Sequence, residues 1–257
     1  MLKKILFNLL PKKTQRELIL FKTGFQLIQN GKFTDTIFSD FFIVKKDTLW
    51  KNRLTKELHE PEISSFYERH LKNDDIVFDI GANQGFFPTL ISKINPDVPV
   101  YAFEGLWYVF YYLNLNKSIN DPKDKWKLIQ AFVGTNNSAK KTEISLDNFC
   151  HSHKVYPTIL QMDVDGREWD VLMGAKELVN KRTTEFIIEI HPADLQKLNV
   201  NHSAISDFFI KCGYDILYLS DFRTQQGQWS TKLNRQSEND EYYLYAFIPN
   251  KSRIKIE

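Results

Sequence analysis

Cysteine is scarce: the 257 residues hold two, Cys150 and Cys212. They are isolated thiols without metal-ligand spacing, so no disulfide framework or structural zinc is expected, and a reduced, cytoplasmic setting is. No apolar run approaches the roughly 20 residues that a membrane span requires. Charge of either sign is in small excess, with a formal net of +2. Because aromatic and basic residues are not clustered either, nucleic acid is not expected as a partner. Glycine is sparse at ten residues, and no three of them form the G-x-G-x-x-G pattern that lets a backbone approach a pyrophosphate. Nicotinamide and flavin dinucleotides are therefore disfavoured.

The hydrophobic share of 42% is enough for one α/β core. That core is organised around residues 76–94, IVFDIGANQGFFPTLISKI. Ile76, Val77 and Phe78 have strand composition, Gly81 and Gly85 bracket a turn, and a helical apolar pattern follows, with Pro88 in the first turn, where a missing N–H is harmless. Such a loop brings backbone N–H groups and a helix N-terminus to a polar ligand. A second buried strand, VPVYAFEG over 98–105, ends on Glu104, 19 positions after Gly85. That spacing is close to the separation of about 20 at which a carboxylate holds the two hydroxyls of a ribose.

Asn83 occupies the place of the pyrophosphate glycine, which suits a smaller, zwitterionic tail. Asp79, just before the loop, would repel phosphate and attract an ammonium or sulfonium group. The expected ligand is S-adenosylmethionine, held by Asp79, Gly81, Ala82, Asn83, Gly85, Phe86, Glu104 and Asp163. The competing account is an ordinary turn that uses glycine for its geometry alone.

The motifs DIGANQG, FEG, FYYLNLNKSIN (110–120), SLDNF (145–149), LQMDVDGREWDVLMGAKELV (160–179) and FIIEIHP (186–192) come in an order that resembles the FkbM family of methyltransferases. The resemblance covers 71–192. It implies a class I, Rossmann-like α/β fold: a mostly parallel seven-stranded sheet between helices, with a terminal antiparallel hairpin. It also implies transfer of a methyl group from S-adenosylmethionine to a hydroxyl on a sugar, glycan or secondary metabolite. Three positions depart from the family pattern. Gly105 replaces a proline, Gln161 a lysine and Asp165 a glutamate, and the lysine's part in acceptor binding is thereby placed in doubt.

An N-terminal extension over 1–70 and a methyltransferase domain over 71–257 are expected. Within 1–30, six cations (Lys3, Lys4, Lys12, Lys13, Arg16 and Lys22) face only Glu17, and apolar residues recur at helical spacing. The apolar run at 5–10 is too short for a signal peptide and is followed by Pro11. Helices packed on their own domain are preferred over peripheral contact with an anionic membrane. A hairpin is expected over 35–50 and a helix over 62–71. Further along, a helix is expected over 107–119, strands over 127–133, 158–162 and 185–190, a helix over 203–212, and strands over 214–219 and 242–248. A polar loop at 220–241 carries Trp229 and Arg235, suited to a sugar face or to a plain surface turn.

Ligands in open α/β sheets bind at the carboxyl ends of strands. Asp163, Glu189 and His191 sit at such ends and are the catalytic candidates. His191 is the expected general base, oriented by Asp163 or Glu189. Glu168 reads as a helix-dipole or capping carboxylate, Asp165 and Gly166 as a turn, and His151 and His153 as a solvated pair. Asp163, Asp165, Glu189 and His191 offer an oxygen-rich site for Mg²⁺. No spacing among them is diagnostic, so the site is read without a metal. N-methylation of an amine and a catalytically silent S-adenosylmethionine-binding module are the alternatives.

Overall fold

The computed structural model describes residues 60–121, 123–135, 143–222, 227–235 and 237–254. The basic segment 1–30 and the hairpin expected over 35–50 lie outside the described residues, as does most of the 1–70 extension. Among the described residues the chain runs α1 (Pro61–His70), β1 (Val77–Ile80), α2 (Phe86–Ile94), β2 (Val100–Phe103), α3 (Trp107–Asn120), β3 (Trp126–Ile129), β4 (Phe132–Val133), β5 (Glu143–Ile144), α4 (Leu146–His153), β6 (Ile159–Met162), α5 (Glu168–Met173), α6 (Lys176–Lys181), β7 (Glu185–Ile190), α7 (Pro192–Lys197), α8 (Ser203–Lys211), β8 (Asp215–Leu219) and β9 (Tyr242–Phe247).

Seven strands form one sheet in the order β3-β2-β1-β6-β7-β9-β8. All neighbours pair parallel except β9, which runs antiparallel between β7 and β8. β1, β6, β7 and β9 are buried at every position. Parallel strands covered on both faces read as continuous apolar runs, and this is why the central strands are legible in the sequence. One face packs Phe78, Leu160, Phe186 and Ile188 against α4 to α8, through residues such as Phe149, Leu172, Leu178 and Phe209. The other packs Val77, Ala102, Ile187 and Tyr245 against Ile63, Phe66 and Tyr67 of α1 and Phe87, Leu90 and Ile91 of α2.

The expected strand over 127–133 is divided. β3 ends at Ile129, and Phe132–Val133 leaves the main sheet to pair with Glu143–Ile144 in a small parallel ladder. The Phe132 ring packs over Gly105, where an added Cβ would fall inside it. Proline cannot stand at 105 while that ring occupies the space.

At the amino edge of the sheet, Arg253 closes the domain. Its guanidinium donates to both Asp75 oxygens at 2.6 and 2.7 Å, to Glu185 Oε2 at 2.8 Å and to the His70 carbonyl at 2.9 Å. Thr158 and Tyr245 hydroxyls donate to Asp75 and Glu185 in turn, at 2.7 and 2.8 Å.

Candidate functional site

The carboxyl edge of β1 turns through Gly81 and Gly85, both with left-handed backbone, φ +83° and +92°. Gly81 and Ala82 donate their N–H groups to the Phe103 carbonyl at 3.0 and 2.9 Å, which ties the loop to β2. A Cβ on Gly81 would overlap the backbone carbonyl of Asp163, so the loop and the end of β6 touch because this residue is glycine. Asn83 is exposed, Ala82 and Gly85 are buried, and Phe86 is half-buried with its ring 5.1 Å from that of Phe87. Phe86 thus packs with the apolar layer behind the loop.

Glu104 lies beside this loop, 8% exposed. It accepts from Asn83 N at 3.1 Å and from Leu106 N at 2.7 Å. Burial pushes its carboxyl up, opposed by the backbone donors of Leu106, Asn83 and Gly105. A carboxylate has about four lone-pair positions, so capacity remains for a hydroxyl ligand. Asp79, 2% exposed, has an Oδ2 with no hydrogen-bond partner. Burial, then the charges of Asp163, Glu104 and Glu60, push its carboxyl well above the usual range. A buried unpaired oxygen in a negative field is stabilised by an incoming cation.

At the ends of β6 and β7, Asp163, Glu189 and His191 lie close together. His191 Nε2 lies 3.6 Å from Asp163 Oδ1, 3.8 Å from Glu189 Oε1 and 3.7 Å from Asp165 Oδ1. One ligand atom from each of Asp163, Glu189 and His191 falls within 4.8 Å of the others. Asp165 and Gly166 do make the turn, with φ 45° and 88°. His151 and His153 stay outside the cluster: His151 faces Glu177 at 3.3 Å, and His153 stacks on Phe149 at 4.1 Å.

Glu168 corrects the sequence reading. It is fully buried and is no cap exposed to water: its Oε1 accepts from Gly166 N at 3.0 Å and lies 2.6 Å from His191 Nδ1. Burial by itself lowers the His191 pKa, but the Glu168 hydrogen bond and charge, then Asp163 and Glu189, outweigh it and raise it to about 9. The Glu168 contact thus favours the protonated imidazole. Two further residues were not foreseen. The buried Tyr243 hydroxyl bonds to Glu189 Oε2 at 3.0 Å and also to Glu60, a buried residue just before α1. The register signal was present, since Glu189 pairs with Tyr243 across β7 and β9; the α1 contact had none.

The loop residues fall elsewhere. Trp229 packs 5.7 Å from Tyr245 and lines a groove with Pro61, Phe66 and His70 of α1. Arg235 reaches His202 Nε2 at 3.1 Å and lies over the Tyr242 ring.

Comparison with protein families matches residues 104–216 to the methyltransferase FkbM domain. No curated protein matches the chain. Among solved structures, a methyltransferase FkbM from Methylobacillus flagellatus KT is similar at 15% identity and TM-score 0.49, over 68% of this chain and 44% of that one. This chain thus spans less than half the length of that structure. A SAM-dependent O-methyltransferase from Thermotoga maritima is similar at 11% identity and TM-score 0.48, over 80% and 73%. Aeropyrum pernix fibrillarin, with natively bound S-adenosyl-L-methionine, is similar at 14% identity and TM-score 0.45, over 69% and 68%. At these scores the fold rests on the strand order given above. The family match begins at Glu104 and takes in Asp163, Glu168, Glu189 and His191, so over residues 104–216 this chain is similar to the methyltransferase FkbM domain.

Proposed function

We propose that the protein transfers a methyl group from S-adenosylmethionine to a hydroxyl oxygen of a sugar, glycan or other secondary metabolite. The observation that carries this reading is the unpaired, buried Asp79 Oδ2 beside the Gly81 loop and Glu104. These groups fit the nucleoside: Glu104 would hold the ribose hydroxyls, and Asp79 the cationic tail, with Gly81, Ala82, Asn83 and Gly85 forming the backbone wall. When bound, S-adenosylmethionine supplies an electrophilic methyl group, and correct placement of an acceptor oxygen can contribute roughly 7–11 kcal/mol.

A hydroxyl must lose its proton as the methyl arrives. Asp163 joins the crevice to the buried groups: its side chain is 39% exposed, whereas Glu189 and Glu168 are fully buried and Asp165, in the turn, is open to solvent. Asp163 would take the proton, with the His191 imidazole 3.6 Å away. Asp163→Asn is expected to lower turnover by about 10²–10⁴-fold while S-adenosylhomocysteine still binds, as calorimetry would show; turnover within twofold of native would remove Asp163 from the chemistry. The carboxylates would also hold an ammonium group, which favours an amine acceptor. A panel of methyl glycosides, simple alcohols and amines, assayed with methyl-labelled cofactor, separates the two. Label is expected on the alcohols. Label confined to amines would make this an N-methyltransferase, and binding with no transfer would leave a silent module.

A further inference from the structure

His191 Nε2 has no hydrogen-bond partner among the described residues, although the residue is only 5% exposed. The three carboxylate oxygens around it, at 3.6, 3.7 and 3.8 Å, lie beyond hydrogen-bond reach. His191 Nε2 thus faces three carboxylate oxygens, and one ligand atom from each of Asp163, Glu189 and His191 lies within 4.8 Å of the others. We propose that Asp163, Glu189 and His191 bind one divalent transition-metal cation, of the Mn²⁺ or Zn²⁺ kind, at the carboxyl edge of the sheet.

Metal bonds to imidazole nitrogen and carboxylate oxygen are about 2.0–2.2 Å long, so two ligand atoms on one ion stand about 3–4 Å apart. The separations of His191 Nε2 from its two partners fall in that range. Glu189, on β7, and His191, just after it, are already oriented. Glu168 holds His191 by Nδ1, the carboxylate–histidine arrangement that fixes which nitrogen faces a metal, and Tyr243 bonds Glu189 Oε2, the oxygen not turned to His191. One imidazole and two carboxylates suit manganese, iron or zinc, whereas an all-oxygen set would suit magnesium or calcium. The Mg²⁺ weighed from the sequence is thus the less suitable ion. Asp163 is half-exposed and Asp165 is open to solvent, so the remaining coordination positions face the crevice, where a hydroxyl could be polarised. That purpose rests on the methyltransferase reading; the site itself does not.

The test is calorimetric titration of the full-length protein, stripped with a chelator, with MnCl₂ and ZnCl₂, and with Mn²⁺ binding followed by electron paramagnetic resonance. One ion per chain is expected, bound more tightly than Mg²⁺ and weakened about 10–100-fold or more in His191→Ala and Glu189→Gln. If Glu189→Gln does not fold, the exposed Asp163→Asn serves in its place. Absence of stoichiometric binding, or equal affinity in native and variant proteins, would overturn the site. The same stripped protein is titrated with S-adenosylhomocysteine. Nucleoside binding without metal binding refutes the metal site and spares the methyltransferase reading; metal binding without nucleoside binding upholds the site and refutes that reading.

Discussion

Arg253→Met is expected to cost the fold about 3–5 kcal/mol, because removing one partner of a buried ion pair leaves the others charged and unsolvated. The side chains concerned are 6% exposed for Arg253, 2% for Asp75 and 10% for Glu185. Five residues from four places in the chain converge there: Asp75 before β1, Thr158 before β6, Glu185 in β7, Tyr245 in β9 and Arg253 after it. Urea unfolding of native and variant protein measures the effect; an unchanged midpoint would show that the cluster is in balance with its own desolvation.

The same cluster sets an acid limit. Burial tends to raise the Asp75 carboxyl, but hydrogen bonds from Arg253, Thr158 and Lys72 N, with the Arg253 charge, hold it below the usual range. A carboxyl depressed in the folded state stabilises above its unfolded pKa of about 3.9, and that contribution is lost as pH falls through the folded value. The native protein should therefore lose stability below about pH 4, and its advantage over Arg253→Met should shrink there. An advantage that stayed constant from pH 7 to pH 2 would contradict the assignment to Asp75.

Gly81→Ala is expected to remove nucleoside binding. The backbone at 81 is left-handed, φ +83°, which costs a side-chain-bearing residue about 1–3 kcal/mol. More decisively, the added Cβ overlaps the Asp163 carbonyl, a backbone atom at the end of a fully buried strand that cannot swing aside. The loop must move, and with it the N–H bonds of Gly81 and Ala82 to Phe103. S-adenosylhomocysteine titration should show no saturable binding, whereas Gly105→Ala, which presses only on the Phe132 ring, should retain it. Native affinity in Gly81→Ala would mean that the loop is not the ligand wall.

How much of this was legible follows from range. The glycine loop, Glu104 and β7 could be read because their signals are local: left-handed turns demand glycine, and a strand buried on both faces carries a continuous apolar stretch such as Phe186–Ile188. β7 spans Glu185–Ile190 as the pattern required. The break after Ile129 was not legible, because Phe132–Val133 pairs outside the main sheet with Glu143–Ile144, and the packing of Phe132 over Gly105, 27 positions earlier, has no local signal. The support of the cluster was hidden for the same reason. Glu168 meets His191 across 23 positions, Tyr243 meets Glu189 across 54 and Glu60 across 183. Glu168 also misled, since a carboxylate in a first helical turn has an adequate local explanation in the helix dipole. Only the Asp165–Gly166 turn and the depth of α5 show that it points inward.

The most direct test of the cofactor site is calorimetric titration of native protein, Glu104→Ala and Glu104→Gln with S-adenosylmethionine and S-adenosylhomocysteine. Hydrogen bonds to a charged group contribute about 1.5–3 kcal/mol each, and about 1.4 kcal/mol corresponds to tenfold in affinity. Binding by the native protein, weakened at least about tenfold in Glu104→Ala and less in Glu104→Gln, is the predicted result. A native protein that binds neither nucleoside would contradict the account and return Gly81 and Gly85 to the role of a turn.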